Sequence, residues 1–156
     1  MKRRFLGIAT ISALSFAVGS LWGHHTTETY FDLSTTYILK GVITSVAWRN
    51  PHMYAFMDVT TCKADNWAVE LGSLPEMTRA GLARDTLQKG MPVSIYAAPA
   101  KFASTSGLPE ADAAWKERHF VLGGCMTLPD GKQIEYSDGP RCKRPAKDIP
   151  IGVDPR

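Results

Sequence analysis

Apolar and polar residues alternate along most of the chain, and this pattern predicts a protein built mainly of β-strands. A period of two is typical of a strand with one buried face. Five segments show it, and they lie at 39–48, 53–60, 67–72, 91–98 and 119–128. No segment of comparable length has the helical period over its whole extent, so we expect only one or two short helices.

The alternation also predicts which side chains face the interior. Trp67, Val69 and Leu71 share the inner face of the third segment, and Val93 and Ile95 share that of the fourth. In the first segment, strict alternation divides the side chains between one face with Ile43, Ser45 and Ala47 and another with Val42, Thr44, Val46 and Trp48.

Breaks in the alternation locate the turns and one helix. Asn50-Pro51 separates the first two strands. Ser73 and Glu76 have the spacing of a capping box, and Gly81 can end the short helix that they begin. The pair Gly123-Gly124 predicts a bend or bulge in the fifth strand.

Three strands, a helix and two closing strands are the element order of a five-stranded OB-like Greek-key barrel. The alternative is another small α+β sheet. We expect the barrel to occupy residues 24–137, after a leader at 1–23 and before a loose basic tail at 138–156.

Residues 1–23 have the pattern of a secretory signal peptide. Lys2, Arg3 and Arg4 precede an uncharged apolar run, and small residues follow it. Cleavage after Gly19 or after Gly23 fits the pattern, and a retained membrane anchor is the alternative. We therefore expect a periplasmic or secreted protein. No other segment approaches membrane-spanning length, so stable membrane insertion of the mature protein is not expected.

Charge argues against a nucleic-acid partner. The formal charge of the chain is +3, and the three leader cations supply it, because the remaining 15 Lys and Arg balance 15 Asp and Glu. Nonspecific nucleic-acid binding depends on excess cations, which the mature protein lacks.

Three cysteines, Cys62, Cys125 and Cys142, would meet an oxidising compartment after export. Three allow at most one intramolecular disulfide, and all three pairings stay open at this point. A bond between Cys125 and Cys142 would tie the basic tail to the last strand of the barrel.

Several segments together resemble a family of small exported bacterial proteins, the domain of unknown function 6152. They are His24-His25, LKGVITSVAWRNPH at 39–52, NWAVELGS at 66–73, RAGLARDTLQKG at 79–90 and TLPDGK at 127–132. The chain departs from the family pattern at Thr26-Thr27, at Met91-Pro92 and in the long insert at 103–118. The family has no assigned activity, so the resemblance implies a shared fold and no chemistry.

His24, His25 and His52 are candidate metal ligands. Adjacent histidines on an N-terminal arm can reach one ion, and His52 lies on an exposed turn where it could join them. Imidazole nitrogen suits copper and zinc, so the cofactor expected at such a site is one of these two metals. The alternative is that the pair only marks the start of the mature chain and that His52 caps its own turn.

A second candidate site lies on the outer face of the second strand. Tyr54 and Phe56 point outward there, as aromatic residues do on OB-folds that bind ligands, and Arg49 and Asn50 of the adjacent turn complete the set. The alternative is that the N-terminal arm, with Tyr30 and Phe31, or the insert covers this face. Glu70, on the third strand, fits a solvated surface with weak ion pairs.

Sequence motifs of catalysis are missing, since the chain has no GxSxG, P-loop or GxGxxG. The sequence therefore favours an exported, soluble, non-catalytic binding module of the OB type. Its ligand would be a small molecule, a metal ion or an exported partner protein. The alternative function is a periplasmic copper- or zinc-binding protein.

Overall fold

The structure, a computed structural model, describes residues 27–60, 67–101, 119–136 and 138–148. These ranges form nine short elements. In chain order they are α1 (Thr27–Tyr30), β1 (Tyr37–Ala47), β2 (Tyr54–Val59), β3 (Trp67–Glu70), α2 (Leu74–Arg79), β4 (Pro92–Pro99), β5 (His119–Thr127), β6 (Gln133–Glu135) and β7 (Lys147–Asp148). The leader at 1–23, His24, His25, Cys62 and the insert at 103–118 lie outside the described residues.

The first five strands close into a barrel. β1 lies between β2 and β4 and is antiparallel to both. β2 also pairs with β3 in antiparallel orientation. β3 pairs with β5 in parallel, and β5 pairs with β4 in antiparallel orientation. The order β1–β2–β3–β5–β4 thus leads back to β1. With α2 between β3 and β4, this confirms the predicted mainly β fold, a five-stranded OB-like barrel.

Apolar side chains fill the barrel interior. Trp67, Val69, Leu71, Val93 and Ile95 belong to one continuous buried core, as the alternation predicts. Among the described residues the interior is thus occupied by apolar side chains, and OB-folds bind their ligands on an outer strand face and its adjoining loops.

A bulge at Thr44 shifts the alternation of β1. Ile43 lies opposite Met57, whereas Ser45 lies opposite Phe56, so Thr44 is an extra residue without a partner on β2. Ile43 is buried in the core, and Val46, three residues later, packs against the same core. The strict alternation predicted across this strand is therefore wrong beyond Ile43, because the extra residue turns the following side chains to the opposite face.

The predicted irregularity at Gly123-Gly124 is confirmed. Tyr96 lies opposite Cys125 and Ala97 opposite Gly123, so Gly124 is the extra residue of β5. The backbone at 139–140 lies directly against Gly124, where a β-carbon would overlap it. Glycine at 124 therefore lets the later chain pass close over β5.

The predicted capping box of α2 is present. Ser73 is the N-cap, and its backbone N–H donates to Glu76 Oε2 at 3.3 Å. The helix buries Met77 and is followed by Gly81, whose φ of 90° suits a glycine after a helix end. Within the described ranges, no helix has both the length and the apolar character that crossing a membrane requires.

A disulfide joins Cys125 of β5 to Cys142, with a Cα–Cα distance of 5.2 Å. Residues 138–148, the first part of the segment expected to be a loose basic tail, lie along the barrel. β7 pairs in parallel with β1, and Lys40 Nζ lies 3.2 Å from Asp148 Oδ1. The disulfide and this short pairing hold the segment in place.

Candidate functional site

The β1–β2 turn reaches the end of β3 and the start of α2. Asn50 is exposed in the turn, and its bond to Pro51 is cis. Just before the start of β2, Met53 N–H donates to the Gly72 carbonyl at 3.1 Å, and Leu71 N–H donates to the Met53 carbonyl at 2.9 Å. These two bonds hold the turn beside the residues that follow β3.

His52 contacts Glu70 across this junction. Its Nδ1 lies 2.6 Å from Glu70 Oε1, a short charge-assisted hydrogen bond. The His52 side chain is 43% exposed, and that of Glu70 is 14% exposed. The pair therefore joins a half-exposed imidazole to a mostly buried carboxylate.

The surroundings raise the pKa of His52. The hydrogen bond to Glu70 is the main cause, partial burial opposes it, and the negative charges of Glu70 and Glu76 add to it. A carboxylate beside an imidazole favours the protonated form. Glu76 thus has two roles, because it completes the capping box of α2 and its negative charge helps to raise the pKa of His52.

Tyr54 lies directly opposite Glu70 in the β2–β3 pairing. Its hydroxyl donates a hydrogen bond to Glu70, and burial, the largest effect, raises its pKa far above the ordinary tyrosine value. The guanidinium carbon of Arg49 lies 5.5 Å from the centre of the Tyr54 ring, within the range of a cation–π contact.

We call these five residues the His52 corner: Arg49, His52, Tyr54, Glu70 and Glu76. The sequence prediction included the first three and missed the role of Glu70, which it placed on a solvated face. The signal was present in part, because alternation places Tyr54 and Glu70 on the outer faces of successive strands. Their register, which sequence does not give, makes them neighbours.

The structure places the other predicted residues as follows. Tyr54 and Phe56 lie on the outer face, as predicted, and both are buried, at 4% and 6% exposed. They cluster with Ala68 and partly buried Phe120. Phe31 packs on the same outer layer, with its ring centre 5.3 Å from that of Phe120. The N-terminal arm thus covers part of this aromatic surface, as the alternative interpretation expects.

The candidate metal ligands are only partly described. His24 and His25 lie outside the described residues, and His52 is in the corner. Among the residues that the structure covers, no three His, Cys, Asp or Glu side chains gather in a group suited to a metal ion. Any site built on His52 needs further ligands from elsewhere.

Residues 12–111 match a protein family described as a family of unknown function (DUF6152). The match spans more than half of the chain. This protein belongs to the DUF6152 family. No curated protein matches the chain. No solved structure matches it either.

Membership of DUF6152 confirms the resemblance found in the sequence. The matched span includes the whole His52 corner and the barrel strands from β1 to β4, and it ends before β5 and the disulfide. The DUF6152 description names no activity, so the chemistry of this protein has to be argued from its own residues.

Proposed function

We propose that this protein is an exported, non-catalytic binding module that holds its ligand at the His52 corner. One observation carries the proposal: a half-exposed imidazole is held by a mostly buried carboxylate at 2.6 Å. A carboxylate partner that holds an imidazole in one orientation is typical of functional sites. An exposed histidine on a loose turn gains little stability from such a partner.

The scaffold around the corner supports this proposal. Glu70 lies in β3, which pairs with β2 on one side and with β5 on the other. His52 is held by the main-chain bonds of the adjacent Met53. A site on rigid strands is positioned more accurately than one on a free loop. Arg49 and Asn50 would contact the ligand beside His52, while buried Tyr54 and Phe56 would support the surface from below.

Mapping by NMR tests this proposal. Amide signals of the ¹⁵N-labelled mature protein are followed while Zn(II), inorganic phosphate and acetate are added separately. We expect at least one probe to shift the signals of residues 49, 50 and 52–54 and of Glu70 before any others. His52→Ala should abolish those shifts. The control is His119→Gln, which changes a histidine of β5 that contacts Trp67 of β3 and should keep the shifts. Shifts confined to other regions, or none with any probe, would contradict the proposal.

A second candidate is a periplasmic copper- or zinc-binding protein that uses His24, His25 and His52. The His52–Glu70 contact favours it, because metal-bound histidines almost always donate their second ring N–H to a carboxylate, a carbonyl or water. Calorimetric titration with Cu(II) tests the contribution of the pair. His24→Ala/His25→Ala should weaken binding more than tenfold in this candidate, and equal affinity would remove the pair from the site.

A further inference from the structure

We propose that Glu70 is a positioning residue that fixes the tautomer of His52, so that the Nε2 lone pair is available as one ligand to a metal cation whose remaining ligands the corner does not supply. The ligand part of this inference rests on the proposed function. The tautomer part does not, because it follows from the geometry of the two side chains alone.

The contact between the two side chains determines the tautomer. In a neutral imidazole one ring nitrogen carries the proton and the other is an acceptor. Glu70 Oε1, at 2.6 Å from Nδ1, is a carboxylate oxygen and can only accept. The proton of neutral His52 therefore lies on Nδ1, and Nε2 keeps its lone pair.

Glu70 is itself held in place, which a positioning residue requires. In the barrel its backbone lies opposite Tyr54 on β2 and opposite Leu122 on β5. The Tyr54 hydroxyl donates to its carboxylate. The carboxylate thus has one bond from the strand beside it and one from the turn, and the bond from Tyr54 restrains it independently of His52.

The charges around His52 favour a cation over an anion. Glu70 and Glu76 both act on the ring electrostatically. Arg49, the positive member of the corner, lies over the Tyr54 ring instead. With neutral His52, its immediate surroundings are thus negative. An imidazole lone pair in a negative field suits a zinc- or copper-type cation.

The tautomer is read by long-range ¹H–¹⁵N correlation on the metal-free protein at a pH above the raised His52 pKa, where the ring shifts no longer change with pH and the imidazole is neutral. We expect wild-type His52 to be protonated on Nδ1. Glu70→Ala should release the ring to a mixture of tautomers. Glu76→Gln is the matched control, because it removes the second charge and keeps the capping-box residue type; it should leave the tautomer unchanged. A wild-type ring protonated on Nε2, or an unchanged ring in Glu70→Ala, would overturn the positioning role.

Zn(II) titration of the same three proteins tests the ligand part. Loss of a carboxylate behind a metal-bound histidine weakens binding by about 10- to 100-fold, which we expect for Glu70→Ala and not for Glu76→Gln. A fixed tautomer in a protein that binds no Zn(II) would overturn the ligand part and leave the positioning role standing. Zn(II) binding at His52 with a mixed tautomer would overturn the positioning role and leave the proposed function standing. The wild-type spectrum needs no variant, so a variant that fails to fold does not prevent the test.

Discussion

The Tyr136 hydroxyl occupies the space that a side chain at Gly123 would need. A β-carbon on Gly123 would lie 2.6 Å from that oxygen and 2.8 Å from Val69 Cγ1. Tyr136 belongs to the barrel core, and complete burial raises its pKa far above the ordinary tyrosine value. Among the described residues the hydroxyl has no hydrogen-bond partner. Glycine at 123 therefore lets the Tyr136 ring enter the core.

Gly123→Ala should destabilise the protein. Overpacking a filled core costs about 1–3 kcal/mol, and we expect the free energy of unfolding in urea to fall by that amount. Gly123→Ala/Tyr136→Phe should recover part of the loss, because it removes the oxygen that the new methyl group meets. A Gly123→Ala protein as stable as wild type would contradict this packing.

The disulfide should stabilise the protein mainly because it restricts the unfolded chain, and it also holds the 138–148 segment against β5. It closes a chain separation of 17 residues, for which about 3 kcal/mol is expected. Cys142→Ser should lower the free energy of unfolding by about 2–4 kcal/mol, and dithiothreitol should have the same effect on wild type. Cys62→Ser is the control and should change little. If Cys62→Ser proved as damaging as Cys142→Ser, the pairing would be wrong.

His52 should titrate above the ordinary histidine value of about 6.5, because Glu70 and Glu76 favour its protonated form. The stabilisation from this raised pKa is fully present below the unfolded value and is lost as the pH rises through the folded pKa. The pKa is measured from ring proton shifts. Glu70→Ala should lower it more than Glu76→Gln, because only Glu70 adds a hydrogen bond. A wild-type pKa below 6.5 would contradict the contact.

Export predicts a shortened N-terminus. Protein recovered from the periplasm or the culture medium should lack at least residues 1–19, with cleavage after Gly19 or Gly23. Intact-mass measurement gives the first residue directly. Exported material that still begins at Met1 or Lys2 would support a retained anchor in place of a cleaved signal.

Most of the fold could be predicted from the sequence, because period-two alternation is a local property of each strand. The bulge at Gly123-Gly124 was visible as a glycine pair. The bulge at Thr44 was not, since it is built from ordinary strand residues without glycine or proline. Only the register with β2 reveals it.

The candidate site was less predictable, because its contacts join distant segments. His52 and Glu70 are 18 positions apart, and they are brought together by the register of β2 with β3 and by the main-chain bonds of Met53 just before β2. The disulfide partner of Cys125 could not be chosen from sequence for the same reason. The residue types of a site can be read from the sequence, but their distances depend on tertiary structure.

Zn(II) calorimetry on wild type, His52→Ala and His119→Gln tests most directly the claim that His52 presents a nitrogen to a metal cation. Above the raised His52 pKa, where the ring is neutral, we expect His52→Ala to weaken binding by about tenfold or more, since it removes a bond to the metal. His119→Gln should bind as wild type does. The fold should persist in His52→Ala, because a half-exposed turn residue contributes little to the core. Equal affinity of wild type and His52→Ala, or no measurable binding by wild type, would contradict the claim.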